Sequence, residues 1–444
     1  MSHALLQAWQ QTLRRHGAAR AVVEAAGGRS VTFRELDAAA EAWAAAHAGN
    51  RAALAGRAVV FACPNGVAWF EIFLGLLKAG AVVVPLDPGE PAAAQQRVAA
   101  GLRAGFWWNG AALQPLTGAR RYRDPATCLI KLTSGSTGRP RALVFTAAQM
   151  LADGRQVTAT MGIGPRDLNY ALIPLGHSYG LGNLTIPLVA LGVPLVCGRA
   201  ALPQAIADDF AQWRPTVFPG VPTMWRALAA SDVALVSLRL GISAGAPLPP
   251  EVARDFAARF GRRLHSFYGS SETGGISYDR TGRAALAGEV GSALRGVKLK
   301  ALAGQCLRVS SAAVVTHGNP RKAGRHGAWL MPDRAVLDAR GHVTLLGRRG
   351  TTVKVAGRRV NLAEVAERLR RVPGVREAWV GVSAGAEPVL AAVVATERTP
   401  VELRLALAPA TAAWLIPKKL LVVPALPVTA RGKTDSRALQ GMVS

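Results

Sequence analysis

Leu132-Thr133-Ser134-Gly135-Ser136-Thr137-Gly138-Arg139-Pro140-Arg141 is the stretch on which the reading of this chain turns. It follows the apolar Cys128-Leu129-Ile130 and precedes Ala142-Leu143-Val144-Phe145, so two β-like runs flank a loop built almost wholly of hydroxyls and glycines. Gly135 and Gly138 can take φ > 0, which leaves Ser and Thr hydroxyls and backbone N–H donors lining the inside of a bend. That is the chemistry of a phosphate cradle. It is not a Walker A loop, because Arg139-Pro140 stands where Gly-Lys-Ser/Thr is required. An ordinary Ser/Gly-rich hairpin loop has the same composition; the cations Arg139 and Arg141 favour the cradle.

Working outward, 444 residues exceed one ordinary core and imply two or three domains, with half the residues apolar to fill them. The first segment, to Gly28, reads as an amphipathic helix running into a strand rather than a targeting peptide, since Glu24 interrupts it and no apolar core is present. The apolar runs Phe70 to Leu86 and Leu181 to Val196 are broken by Glu71, Lys78, Asn183 and prolines, so neither reads as a membrane span. Cys63, Cys128, Cys197 and Cys306 lie far apart in no ligand-like or redox-like spacing, which predicts reduced thiols in a cytoplasmic protein and no cysteine metal site. A formal charge of +26 raises nucleic acid as a ligand, but the arginines are scattered and no basic run is interleaved with aromatics. Acidic small molecules or an acidic protein partner suit that charge better.

Strand and helix patterns alternate along the chain. Val31 to Asp37 is a strand entering a helix, Val59 to Phe61 a buried strand, Trp69 to Ala79 a helix, and Ala81 to Leu86 another buried strand. Beyond the cradle, Ala147 to Met161 reads as a helix and Leu168 to Leu175 as a strand ending at Pro174-Leu175-Gly176-His177-Ser178-Tyr179-Gly180. Three more strands end in small-residue turns: Thr216 to Pro222, Leu240 to Leu248, and Leu264 to Gly275. This alternation predicts a parallel α/β sheet whose strand-end loops converge on one cleft. In the last loop Glu272 is the lone carboxylate, suited to holding Mg²⁺ beside phosphate oxygens, and Tyr268 offers a flat face to a purine. The Gly347 to Gly350 segment is the best linker. After it come a helix capped by Asn361, strands at Ala378 to Val382 and Val389 to Val394, a helix from about Val401 to Ala412, and a polar tail bearing Lys433.

Taken in order, these segments resemble the adenylate-forming superfamily of acyl- and aryl-CoA ligases, luciferases and nonribosomal adenylation domains, from Val31 to Leu439. The phosphate-loop signature is Thr133 to Arg141, the substrate loop Pro174 to Gly180, and the aromatic-and-Glu motif Tyr268-Gly269-Ser270-Ser271-Glu272. Asp333 falls where the family has its ribose-binding aspartate, Gly347-Arg348 matches the next motif, and Lys433 falls on the C-terminal catalytic lysine. The resemblance implies a large α/β adenylation domain of stacked sheets and helices, residues 1–348, and a small mobile α+β domain, residues 349–444. It also implies a reaction. ATP and a carboxylate give an acyl-adenylate and pyrophosphate, and a thiol, of CoA or of phosphopantetheine on an acyl carrier protein, then takes the acyl group.

Carried onto this chain, Thr133, Ser134, Gly135, Ser136, Thr137, Gly138 and Arg141 would bind phosphates, with Gly245, Tyr268, Gly269, Ser271, Asp333 and Arg348 completing the nucleotide site. Glu272 would hold Mg²⁺, Lys433 would bridge carboxylate and α-phosphate, and His177 would act from the substrate loop. Gly350 lies at the expected hinge. Arg141 and Ala142 replace the usual Lys-Gly, Ser271 the usual Thr, and Met331-Pro332 the usual Thr-Gly before Asp333. The substrate loop carries no acid to pair with an α-amine, which favours an aryl or acyl acid over an amino acid, and the expected pocket walls are His177, Phe218, Val221, Ser243, Ala244 and Gly245. An amino-acid-activating enzyme and a non-catalytic nucleotide-binding relative are the alternatives.

Overall fold

The computed structural model describes residues 3–47, 51–133, 141–316, 323–324, 327–348, 352–355, 358–383, 389–411, 413–429 and 434–444. Its fold is mixed α/β and divides into two compact units: residues 1–300, 308–330 and 337–344 form the first, and residues 301–307, 331–336 and 345–444 the second.

In the first unit, the short apolar runs bounded by glycine and proline become strands of two sheets. One has six strands in the spatial order Leu113–Pro115, Phe106–Trp108, Ala58–Ala62, Val82–Leu86, Thr127–Thr133 and Arg141–Thr146. Its centre is parallel, with Ala58 through Ala62 paired to Val82 through Leu86, all but one of these residues buried. Fully apolar strands of this kind must be covered on both faces. The other sheet has nine strands, and its middle members Leu264–Ser270, Leu240–Ser243, Val217–Gly220, Asn169–Ala171, Leu195–Cys197 and Arg20–Glu24 are parallel neighbours. A core of Tyr170, Phe210, Phe218, Trp225 and Phe256 packs against it, with Phe218 and Trp225 rings 4.7 Å apart. Parallel strands all point one way, so the loops after Ala171, Gly220, Ser243 and Ser270 leave the same sheet edge, where open α/β sheets bind ligands.

The strand expected over Leu168 to Leu175 is regular only over Asn169–Ala171. Beyond it the Asn65 side chain replaces a neighbouring strand: its Nδ2 donates to the Ile173 carbonyl at 2.9 Å, and its Oδ1 accepts from Leu175 N at 3.0 Å. The segment is thereby released from the sheet yet held in place.

The second unit is built on a three-stranded sheet, Val375–Val382, Leu390–Thr396 and Lys419–Val423, antiparallel then parallel. The helix Leu362–Arg370 starts where Asn361 Oδ1 accepts from Ala363 N at 3.1 Å, as its sequence predicts. A helix over Pro400–Leu407 is opened by a Thr399/Glu402 capping box. The tail contains a helix the sequence reading lacked, Ser436–Val443, capped by Asp435 and burying Leu439 and Val443. The strand Val343–Arg348 runs through Gly347 into the segment expected as linker, and Gly350 lies outside the described residues.

Among the described residues no helix is long and apolar enough to cross a membrane. All four cysteines are free.

Candidate functional site

The phosphate-loop stretch forms an antiparallel hairpin stem, Thr127–Thr133 against Arg141–Thr146, in which Thr133 pairs with Arg141. The two expected phosphate ligands at the loop's ends are therefore direct neighbours, both half-buried. Ser134, Gly135, Ser136, Thr137 and Gly138 lie outside the described residues.

Three other sequence-predicted segments converge within the first unit. The substrate loop ends in a helical turn, Ser178–Gly180, whose first N–H groups His177 caps, its Nδ1 accepting from Tyr179 N at 3.4 Å. That turn runs through one π-helical turn, Leu181–Thr185, into the helix Ile186–Leu191. Gly180 is required here, since a Cβ on it would lie 2.1 Å from the Pro174 carbonyl oxygen. Tyr179 reaches across the sheet edge: its hydroxyl lies 3.4 Å from the Gly220 carbonyl and 3.3 Å from that of Ile242. Burial pushes that phenol well above its ordinary pKa, so it stays a neutral donor. Ser178 Oγ donates to Ser271 Oγ at 2.8 Å, tying the substrate loop to the turn that carries Glu272.

Tyr268 and Gly269 lie in the strand Leu264–Ser270, with a bulge between them, and Ser271, Glu272 and Thr273 make the turn into Gly274–Tyr278. Ser270 Oγ accepts from Thr273 N at 3.2 Å, and the Glu272 carbonyl accepts from Val315 N at 2.8 Å, so both sides of the turn are fixed. Glu272 is half-buried. Gly245 takes φ +87° on the loop after Leu240–Ser243, beside Val221. Of the expected pocket walls, Phe218 is enclosed by Tyr170, Phe210 and Trp225 in the core. Asp333 is half-buried on the strand Ala328–Leu337 and belongs to the second unit. Arg348 ends the strand Val343–Arg348, and Lys433 lies outside the described residues.

The sequence reading missed two buried charges and one polar anchor. Lys131 and Asp153 are 4% and 3% exposed and face each other at 4.0 Å beneath the hairpin. Burial pulls the lysine's pKa down and pushes the aspartate's up, while each partner opposes the shift of the other. Gln149 on the same helix donates to the Val314 carbonyl at 2.7 Å. The signal for Lys131 was its place inside an otherwise apolar strand.

Loops gathered on the C-terminal edge of a parallel sheet, with the Ser271–Thr273 turn tied to one of them through Ser178, are the arrangement in which open α/β proteins bind their ligands. A family model for AMP-binding enzymes matches residues 9–106 and 111–309. Over 92% of the chain and 93% of the relative, it is 27% identical to a feruloyl-CoA synthase from Amycolatopsis sp.. It is 28% identical to the benzoate–CoA ligase of Thauera aromatica over 60% of this chain and 55% of that one. An anthranilate CoA ligase solved with anthranoyl-AMP superposes with a TM-score of 0.82 at 20% identity, covering 100% of this chain and 98% of that one, which shows the shared fold. The chain belongs to the AMP-binding enzyme family. It is an ATP-dependent acid–thiol ligase working through an acyl-adenylate.

Proposed function

We propose that the enzyme activates an aromatic carboxylic acid lacking an α-amino group and passes the acyl group to the thiol of CoA. The observation that carries this reading is the substrate loop: it has no acid to balance an ammonium, and Ser178 fastens it to the Ser271–Glu272 turn. The relatives named above as feruloyl-, benzoate- and anthranilate-CoA ligases support the aromatic class.

In the first half-reaction a carboxylate oxygen bonds to the α-phosphorus of ATP as the bond to pyrophosphate breaks. In the second the thiolate attacks the acyl carbon and AMP leaves. Two anions must meet in the first step, so positioned donors and cations lower the barrier most. Thr133, Arg141 and the loop between them would cradle the β- and γ-phosphates. Tyr268 would stack on adenine beside Gly245 and Gly269, and Asp333 with Arg348 would hold the ribose. Lys433 would bridge carboxylate and α-phosphate. Half-buried Glu272, following Ser271 on the same turn, offers hard oxygen donors of the kind that suit Mg²⁺. Bound there, Mg²⁺ would neutralise phosphate charge.

Carboxylate-dependent ATP–pyrophosphate exchange with benzoate, anthranilate and ferulate tests the reading, followed by detection of the CoA thioester. Exchange with at least one of these acids is expected; exchange with none of them refutes it. Thioester formation on the phosphopantetheine of an acidic carrier protein but not on CoA would replace the acceptor, an outcome that the chain's +26 charge makes worth testing.

A further inference from the structure

The Lys131–Asp153 pair takes no part in the reaction just described, yet it joins the segments that do. Lys131 lies two residues before Thr133 on the same strand and therefore on the same face. Its ammonium sits 4.4 Å from the centre of the Phe145 ring on the partner strand and 4.0 Å from Asp153 Oδ2. The other oxygen of Asp153 accepts from Gly275 N at 2.9 Å, three residues after Glu272. Gly274, at φ +70°, presses its backbone so close that a Cβ there would lie 2.3 Å from Asp153 Oδ1. One buried carboxylate thus touches both the strand that leads into the phosphate loop and the arm of the Glu272 turn. Burial lowers the Lys131 pKa, and the Glu272 charge, after Asp153 and Cys128, opposes that fall.

A buried ion pair yields little net stability, because desolvation offsets attraction, so stability alone does not account for one here. We propose that Lys131 and Asp153 are positioning residues that hold the Glu272 turn in register with the phosphate-loop strand. This rests on Glu272 being the Mg²⁺ ligand. Partners that orient a metal ligand from behind typically change metal affinity by about 10- to 100-fold when removed.

The test is calorimetric titration of ATP, with Mg²⁺ and with EDTA, into the full-length enzyme without acid substrate, alongside thermal melting. Lys131→Met and Asp153→Asn each leave a buried charge alone and are expected to lower the melting temperature. The double variant Lys131→Met/Asp153→Asn removes both charges while keeping shape and the Gly275 hydrogen bond. It is expected to melt near the wild type, yet to lose about 10- to 100-fold of the affinity that Mg²⁺ adds to ATP binding. A double variant with the wild-type Mg²⁺ contribution overturns the proposal, and so does one that melts far below the wild type, since the pair would then be structural. Glu272→Gln is measured in parallel. If it leaves the Mg²⁺ contribution unchanged, the metal reading falls and takes the positioning role with it. If it shifts that contribution while the double variant does not, only the positioning role falls.

Discussion

Replacing Gly180 by alanine probes whether the substrate loop must keep its present closure. Gly180 has φ −65° and ψ −40°, a conformation open to every residue, so the substitution carries no backbone penalty. What it meets is the chain itself: the new Cβ would stand 2.1 Å from the Pro174 carbonyl oxygen, 2.9 Å from the Pro174 carbonyl carbon and 3.1 Å from Leu175 Cα. Real Cβ contacts stay above 3.0 Å, and these neighbours are backbone, so the loop must open by about 0.9 Å. Leu175 cannot yield easily, since its N–H is held by Asn65 and its carbonyl accepts from Thr185 Oγ1 at 3.1 Å. The movement therefore falls on Ser178 and Tyr179, the residues that tie the loop to Ser271 and to the sheet edge. Overpacking of this kind costs about 1–3 kcal/mol of stability. A displacement of about 1 Å in a positioned group costs roughly 10²-fold in rate, so exchange activity should fall far more than the fold does. The control is Gly162→Ala, at φ +65° with nothing within 4 Å of its would-be Cβ. It should lose about 1 kcal/mol through left-handed strain and leave pyrophosphate exchange intact. Equal exchange rates for Gly180→Ala and wild type would refute the idea that loop closure sets the site.

Three further outcomes follow from single groups. Lys433→Ala should slow pyrophosphate exchange by about 10²- to 10³-fold, the usual effect of losing one positioned transition-state donor; an unchanged rate would remove this lysine from the adenylation step. Asp209 is fully buried and accepts from Tyr170 Oη at 2.7 Å and Arg199 Nε at 2.6 Å. Asp209→Ala, which leaves the buried Tyr170 hydroxyl without its acceptor while Arg199 turns to solvent, should cost about 1–3 kcal/mol in chemical denaturation, and an unshifted midpoint would contradict it. The Cys63 thiol is raised to about 11, mainly by burial and then by Glu71 and Glu24. Its thiolate fraction at pH 8 is then about 200-fold below that of a free cysteine, so alkylation should be slow and should gain about tenfold per pH unit up to pH 11. Fast labelling of Cys63 at pH 8, read by mass spectrometry, would show the site to be open.

How much of this was legible in the sequence depended on the range of the interaction. Short apolar runs ending in glycine or proline announce buried parallel strands, and Val59 to Phe61, Ala81 to Leu86 and the two runs about the phosphate loop became strands where expected. Asn361 announced its helix because a cap acts within three residues. Asp435 and its helix escaped notice: Leu439 and Val443 supply a short apolar stripe that only packing on Val393 and Ala395 turns into a helix. Asn65 escaped for the opposite reason, since its partners lie more than 100 residues away and nothing local marks an asparagine that substitutes for a strand.

Lys131 is the sharpest case. Read locally, a lysine in an apolar strand is a blemish, and an aspartate among Met150, Leu151 and Gly154 is another. Each is unfavourable alone, because at that depth a lone lysine would lose its proton, a lone aspartate would take one up, or the fold would give way. Only the packing of the helix Ala147–Met161 beneath the hairpin makes the two compatible, and the same packing delivers Asp153 to the Gly275 amide beside Glu272. Two local violations that cancel across space mark where tertiary structure is under constraint beyond folding. In this enzyme that place lies directly between the strand expected to present phosphate ligands and the turn expected to present the metal ligand.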